Sequence, residues 1–301
     1  MSQTSLEPLR AETSSARLPL WLRLVAAIPF PVLYAFAAFL GWLAYRVFPY
    51  RQHVVRENLT RAFPDLDEAG LRRVMRDYYA GFAQVLIEIV KSVNLSTDEL
   101  RQRVRFVNVE VARELLEQGK SVVVAGAHQA NWEWMLLVLS LELGCPVDAA
   151  YKPLQDGWAE RLMLAIRTRL GARMIPSDKL LGDIIKRRGV VRVIALLADQ
   201  EPKTAERKHW TRFLNRDSAF FLGPEEIAKA TRLPVLFLGM TRTKRGFYEV
   251  RFTPLHTPGE ALPAGEITER YVREVEAQIR RAPPDWPWSH KRWRLKKSLY
   301  G

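Results

Sequence analysis

Residues that build disulfide frameworks and metal centres are scarce in this sequence. Its 301 residues include one cysteine, Cys145. No disulfide can close within the chain, and a lone thiol fits a reducing compartment. Cys145 stands in a turn-like Gly144-Cys145-Pro146 stretch with no electropositive surroundings to activate it, and reads as structural. Histidine is nearly as rare. Of the five, His53, His209, His256 and His290 are isolated, and there is neither a His-Glu-x-x-His motif nor a cysteine pair, which argues against zinc. Internal repeats and low-complexity tracts are absent. Acidic residues are also short: 33 Asp and Glu face 46 Lys and Arg, a formal net charge of +13. Such a balance favours phospholipid surfaces, phosphorylated substrates, acidic proteins or nucleic acid, without choosing among them.

Apolar residues are plentiful, at 48% of the chain, enough for a sizeable core in one large domain or in a main domain with a small appendage. From Leu24 to Tyr45 run 22 residues without a charge, between Arg23 and Arg46. As a single helix this run reaches about 33 Å, long enough to cross a bilayer. Trp21, Tyr34, Trp42 and Tyr45 set amphipathic rings near its ends, while Pro29 and Pro31 interrupt an early turn and leave room for oblique entry. Residues 19–48 are therefore expected to form a transmembrane or membrane-embedded helical anchor, after a tail of residues 1–18. A buried helix of a soluble domain is the competing reading. The run lacks an early basic region and a clean cleavage site, so a removed signal peptide is rejected.

Beyond it, apolar positions from about Leu66 to Val93 recur at helical spacing, and Ser96 or Thr97 caps a further helix. Helices and strands then alternate. Strands are expected at Phe106–Val109, Ser121–Ala125, Val147–Tyr151, Ala172–Ile175, Val191–Ala198, Leu233–Met240 and from Tyr248 to Leu255. Helices are expected at Glu110–Gln118, Asn131–Leu143, Gln155–Leu170 and Lys179–Arg188. This alternation predicts an α/β fold, a mixed, largely parallel sheet flanked by helices, following the N-terminal membrane-associated helical segment.

The stretch from Val122 to Glu133 carries the most chemistry. It sets His128 just past a buried strand, and Glu133 in the first turn of the next helix. In open α/β sheets that end of the strands is where ligands bind. A neutral imidazole there can take the proton of an attacking hydroxyl, and a nearby carboxylate can fix its tautomer. Five residues apart on a regular helix the two side chains leave the same face, so the pairing requires His128 to fold back over the helix start. The helix N-terminus favours a neutral imidazole and an anionic intermediate. On spacing alone, a hydrogen-bonded structural histidine and a metal ligand remain open.

Several blocks then agree in order: Arg56-Glu57-Asn58-Leu59, Ala62-Phe63-Pro64, His128 to Glu133, Tyr151-Lys152-Pro153, Arg167-x-Arg169-x-Gly171, Leu197-Ala198-Asp199-Gln200, Phe220 to Pro224, and Lys291-Arg292-Trp293. Together they resemble the late acyltransferases of lipid A biosynthesis, within the glycerolipid acyltransferases marked by His, four residues, then Asp or Glu. The resemblance implies an acyltransferase domain over residues 49–301, with His128 and Glu133 as the catalytic pair. It implies that Asn131, Arg167, Arg169 and Asp199 belong to the substrate-binding set, with holding the loop as an alternative role for Asn131. An acyl carrier protein as thioester donor, an anionic lipid acceptor and no cofactor are further implications. So is a site on the cytoplasmic face of the bacterial inner membrane, where thioesters are made. The stretch Glu201-Pro202-Lys203 to Asn215 departs from the best-known enzymes of the group. It leaves open another acceptor, such as a lysophospholipid, acyl-coenzyme A as donor, or a silent lipid-binding homologue. Trp286, Trp288 and Trp293, interleaved with His290, Lys291, Arg292, Arg294, Lys296 and Lys297, read as a membrane interface rather than a nucleic-acid surface.

Overall fold

The computed structural model describes residues 19–203 and 207–297; the expected tail of residues 1–18 lies outside the described residues. The uncharged run does not form one helix. It forms α1 (Leu20–Ala27) and α2 (Phe30–Arg46), bent by 103° from each other, and no single described helix is long and apolar enough to cross a membrane. The bend falls where Pro29 precedes α2 and Pro31 enters its first turn. A proline withholds the N–H that a continuous helix would need there, yet suits a helix start.

Next come α3 (Gln52–Ala62), α4 (Glu68–Lys91) and α5 (Thr97–Arg103). Asp67 caps α4 through Gly70 N, and Ser96 caps α5 through Glu99 N, as its sequence position predicts. The α/β part follows as β1 (Val104–Phe106), α6 (Glu110–Glu117), β2 (Val122–Gly126), α7 (Trp132–Glu142), β3 (Val147–Tyr151), α8 (Gly157–Thr168), β4 (Arg173–Pro176), α9 (Leu180–Lys186) and β5 (Val193–Leu197). The chain continues with β6 (Lys208–Phe213), β7 (Arg216–Phe221), α10 (Gly223–Thr231), β8 (Val235–Lys244), β9 (Phe247–His256) and α11 (Glu266–Arg281).

The main sheet has seven strands in the order β1-β9-β8-β2-β5-β3-β4, and every neighbouring pair is parallel except β8 with β9. Side-chain alternation along the central β2 serves two cores. Val123 and Ala125 pack toward α3, α4, α10 and α11, whereas Val122 and Val124 pack toward α7 and its neighbours. A strand covered on both faces must be apolar at every position, and all five residues of β2 are buried.

Three differences from the sequence reading have local causes. The first strand ends at Phe106 rather than Val109, because the Asn108 amide donates to Phe252 O and accepts from Phe252 N, replacing the backbone ladder there. The β6–β7 hairpin, unassigned from sequence, turns on Leu214 and Asn215, both at positive φ and without the glycine that usually marks such a turn. The basic, aromatic C-terminal stretch is not a surface belt. Trp286, Trp288 and Arg292 are among the largest fully buried side chains, Trp286 and Arg292 bond to Asp199, and among the described residues of the stretch only the cations Lys291, Arg294, Lys296 and Lys297 are exposed.

α2 packs along α4 most closely at Gly41, where a Cβ would stand 2.9 Å from Ala80 Cα and Tyr79 O. Both obstacles are backbone, so Gly41→Val forces the helices apart. The expected cost is about 1–3 kcal/mol, seen as a lower midpoint in chemical denaturation; an unchanged midpoint contradicts this packing.

Candidate active site

Two adjacent parallel strands build the site. Gly126 at the end of β2 pairs with Leu197 at the end of β5, so the chain leaves both strands at the same level. His128 lies two residues beyond one and Asp199 two residues beyond the other. The Tyr271 hydroxyl spans the two exits, donating to Gly126 O at 2.7 Å and accepting from Ala198 N at 3.2 Å. A Cβ at Gly126 would meet Met135 Cε at 2.8 Å, so a side chain there requires the methionine to move.

The in-register exits bring His128 and Asp199 together. The ring Nδ1 lies 2.6 Å from Asp199 Oδ1, and His128 N donates to Asp199 Oδ2 at 3.1 Å. Trp286 Nε1 donates to the same Oδ2 at 3.0 Å. Burial on its own would raise the carboxyl, but the imidazole beside it and these hydrogen bonds outweigh burial and hold Asp199 below the ordinary carboxylate range. An ionised carboxylate only accepts, so Nδ1 is the ring nitrogen that donates to it, and Nε2 is directed away from the carboxylate. Nε2 turns toward the exposed Gln200, whose Nε2 is 3.4 Å away. The imidazole is one-fifth exposed, whereas Asp199 is buried.

The loop between β2 and α7 is held from below. Ala130 adopts φ +54° and donates its N–H to Asp285 O, a left-handed conformation that an alanine keeps only under external constraint. Gln129 Nε2 donates to Gln278 O and Ala282 O. Asn131 Oδ1 caps α7 at Trp134 N, and its Nδ2 donates to Glu88 Oε2 at 2.8 Å. Fully buried, Asn131 holds the loop and offers no surface to a substrate.

Glu133 does not fold back onto His128. Its carboxylate receives Arg167 Nε at 2.8 Å and Nη2 at 2.6 Å, a two-pronged ion pair, along with Trp132 Nε1 at 3.1 Å. In the first turn of α7 it faces α8 rather than the strand exit, as five-residue spacing dictates, and Asp199 supplies the carboxylate on the imidazole. The rings of Trp132 and His128 meet edge-on at 5.4 Å, which links the two carboxylate pairs. Arg169, at the end of α8, stands apart: its Nε and Nη2 are buried with no hydrogen-bond partner, and burial lowers its pKa.

The C-terminal stretch supplies what sequence reasoning missed. Besides Trp286, Arg292 Nε donates to Asp199 O at 2.7 Å. Half-buried His290 lies between them, its imidazole pushed below its ordinary pKa by burial, with Asp199, Arg292 and His128 among the charges it faces. The Lys291-Arg292-Trp293 block was the available signal, but alternating rings and cations read equally well as an interface. Among the described residues no cluster of His, Cys, Asp and Glu could hold a metal ion.

With this geometry established, the chain can be set beside known proteins. The profile of the family described as bacterial lipid A biosynthesis acyltransferase matches residues 4–295. The chain is 23% identical over 287 residues to a lipid A biosynthesis lauroyltransferase of Escherichia coli (strain K12), covering 92% of this chain and 89% of that protein. It is 22% identical over 293 residues to the lipid A biosynthesis palmitoleoyltransferase of the same organism, covering 93% and 91%. A lipid A biosynthesis acyltransferase of Shigella flexneri matches to the same extent.

Asp199 also makes folding pH-dependent. A carboxyl held below its unfolded value, about 3.9, contributes stability that is complete above that pH and lost as pH falls through the folded value. Asp199→Asn is expected to lower stability at pH 7 by about 1.5–3 kcal/mol, and the gap from the parent protein narrows below about pH 4. A gap that stays constant from pH 7 to pH 3 in denaturation curves would contradict a depressed carboxyl.

Proposed function

The chain belongs to the bacterial lipid A biosynthesis acyltransferase family, and we propose that it moves a fatty acyl chain from an acyl carrier protein thioester to a hydroxyl of a lipid A precursor. The setting proposed is the cytoplasmic face of the bacterial inner membrane. One observation carries the reading: the imidazole of His128 is tied through Nδ1 to the buried Asp199, while Nε2 is directed away from it toward the exposed Gln200.

In the reaction, Nε2 takes the proton of the acceptor hydroxyl as its oxygen attacks the thioester carbonyl. Asp199 stabilises the imidazolium that forms and keeps the ring in one tautomer. The tetrahedral oxyanion lies near the positive end of the α7 dipole. The attack has already formed the carbon–oxygen bond; collapse restores the carbonyl of the new ester and breaks the carbon–sulfur bond. The departing thiolate then receives the proton from His128, which returns the imidazole to its starting state.

Glu133 acts as a positioning residue in this scheme. It fixes the Arg167 fork and the Trp132 indole, and Trp132 in turn forms one wall of the His128 ring. The Arg169 guanidinium, two of whose nitrogens are buried without a hydrogen-bond partner, suits a phosphate or carboxylate of the acceptor, because a partly desolvated cation gains from an anion it can fork. The exposed apolar side chains of α1 and α2 support a lipid-surface setting.

The purified protein is expected to transfer acyl groups from acyl-acyl carrier protein to a lipid A precursor. His128→Ala removes turnover while vesicle association persists; Asp199→Asn lowers kcat by about 10²–10⁴-fold, and Glu133→Gln lowers it less. Envelope lipids compared by mass spectrometry with and without the gene identify the acceptor and acyl chain. Absence of wild-type transfer from every thioester tried, carrier-protein or coenzyme A, overturns the enzymatic reading.

A further inference from the structure

We propose that α1 and α2 lie within one leaflet of an anionic bilayer without crossing it, and that the carboxyl edge of the sheet carrying His128 opens onto that same leaflet. This rests on the membrane part of the functional reading, and specifies how the membrane is met.

Length argues first. At 1.5 Å per residue the 8 residues of α1 and 17 of α2 reach about 12 Å and 26 Å, short of a hydrocarbon core of about 30 Å. The 103° bend prevents their lengths from adding.

Attachment argues further. α2 is fastened to the globular body at its start, middle and end. The Arg103 guanidinium sits 3.6 Å from the Phe30 ring centroid, and Lys91 Nζ donates to Ala26 O and Ile28 O. Gly41 rests on the α4 backbone at Ala80, and the Tyr45 ring lies 5.7 Å from that of Tyr79. A crossing α2 would drag the adjoining part of α4 with it, including the buried carboxylate of Glu88, and would draw in Arg103 as well. Helix and domain therefore meet the membrane sideways.

The outward flank suits that approach. Val32, Phe36, Phe39 and Trp42 follow each other at steps of four, three and three, and with Leu20 and Leu24 of α1 each is at least half exposed. Residues 19–51 contain no acid and include Arg23, Arg46 and Arg51, the charge pattern that anionic headgroups attract.

Continuity links this flank to the site. The rings of Trp21 on α1 and Trp158 on α8 stack with centroids 5.9 Å apart. Trp158 and Leu154 are exposed in the segment that follows β3, which lies at the same carboxyl edge as His128 and Asp199. At its other end, α8 carries Arg167, the partner of Glu133. The apolar flank thus extends through Trp158 and Leu154 to the edge of the sheet from which a lipid acceptor would approach His128.

Single-cysteine variants Arg23→Cys and Phe48→Cys, in a Cys145→Ser background, test the topology. Each is added to preformed phosphatidylglycerol–phosphatidylethanolamine vesicles and exposed to a membrane-impermeant maleimide from outside. Equal labelling of both is expected. Protection of residue 23 until detergent is added means a crossing helix and overturns the proposal. The double variant Phe36→Glu/Trp42→Glu should partition onto the vesicles at least tenfold more weakly, at an unchanged denaturation midpoint; undiminished binding overturns the docking flank. A polarity-sensitive dye on Leu154→Cys should shift to the blue when vesicles are added, and an unshifted spectrum overturns the shared leaflet. These readouts need no turnover, so they stand or fall separately from the acyltransferase assignment.

Discussion

A single buried carboxylate organises the centre of this protein. Asp199 receives the backbone and ring N–H of His128 together with the indole N–H of Trp286. A desolvated anion is unfavourable unless its acceptor sites are filled, so three separate parts of the chain must be in place before it is stable. Those parts are the exit of β2, the exit of β5 and the returning C-terminal stretch. The requirement that keeps Asp199 ionised also leaves Nε2 of the imidazole as the one ring nitrogen directed outward. Folding and site assembly are therefore the same event here.

A second buried carboxylate extends this constraint to the apolar N-terminal helices. Glu88 on α4 accepts from Tyr34 of α2 at 2.9 Å, Tyr248 of β9 at 2.6 Å and Asn131 of the site loop at 2.8 Å. Burial raises its pKa despite these donors. Through it, α2 and the cap of α7 share one anchor. The apolar helices are thus packed into the protein as structural members, and their outer flank remains exposed.

Much of the architecture could be read from the residues. The parallel α/β sheet follows from apolar runs too uniform for a half-exposed strand, such as Val122 to Ala125. β3, at Val147–Tyr151, has the expected boundaries, because Pro146 and Pro153 bracket it and neither can donate to a ladder. His128 was legible because a strand, a glycine and a histidine in sequence put a side chain at the ligand-binding edge. Asp199 was legible only as a polar position after another strand. Its pairing with His128 depends on β2 and β5 being neighbours, although 71 positions separate the two residues. Glu133 attracted attention as the nearest acid in sequence, but the helical path aimed it at Arg167.

Sequence alone determined the fold class, the family and the histidine at the strand exit, since each rests on local periodicity or on ordered motifs. Tertiary structure alone decided which acid steers that histidine, and that the Trp286–Arg292 stretch lies beneath the site rather than in a headgroup layer. It also decided that the apolar N-terminal run is folded at Pro29 against α4. These outcomes depend on strand order, on which of two buried surfaces a tryptophan enters, and on where two helices can approach at Gly41. Contacts between distant segments are set by the assembled core, and local pattern carries no record of them.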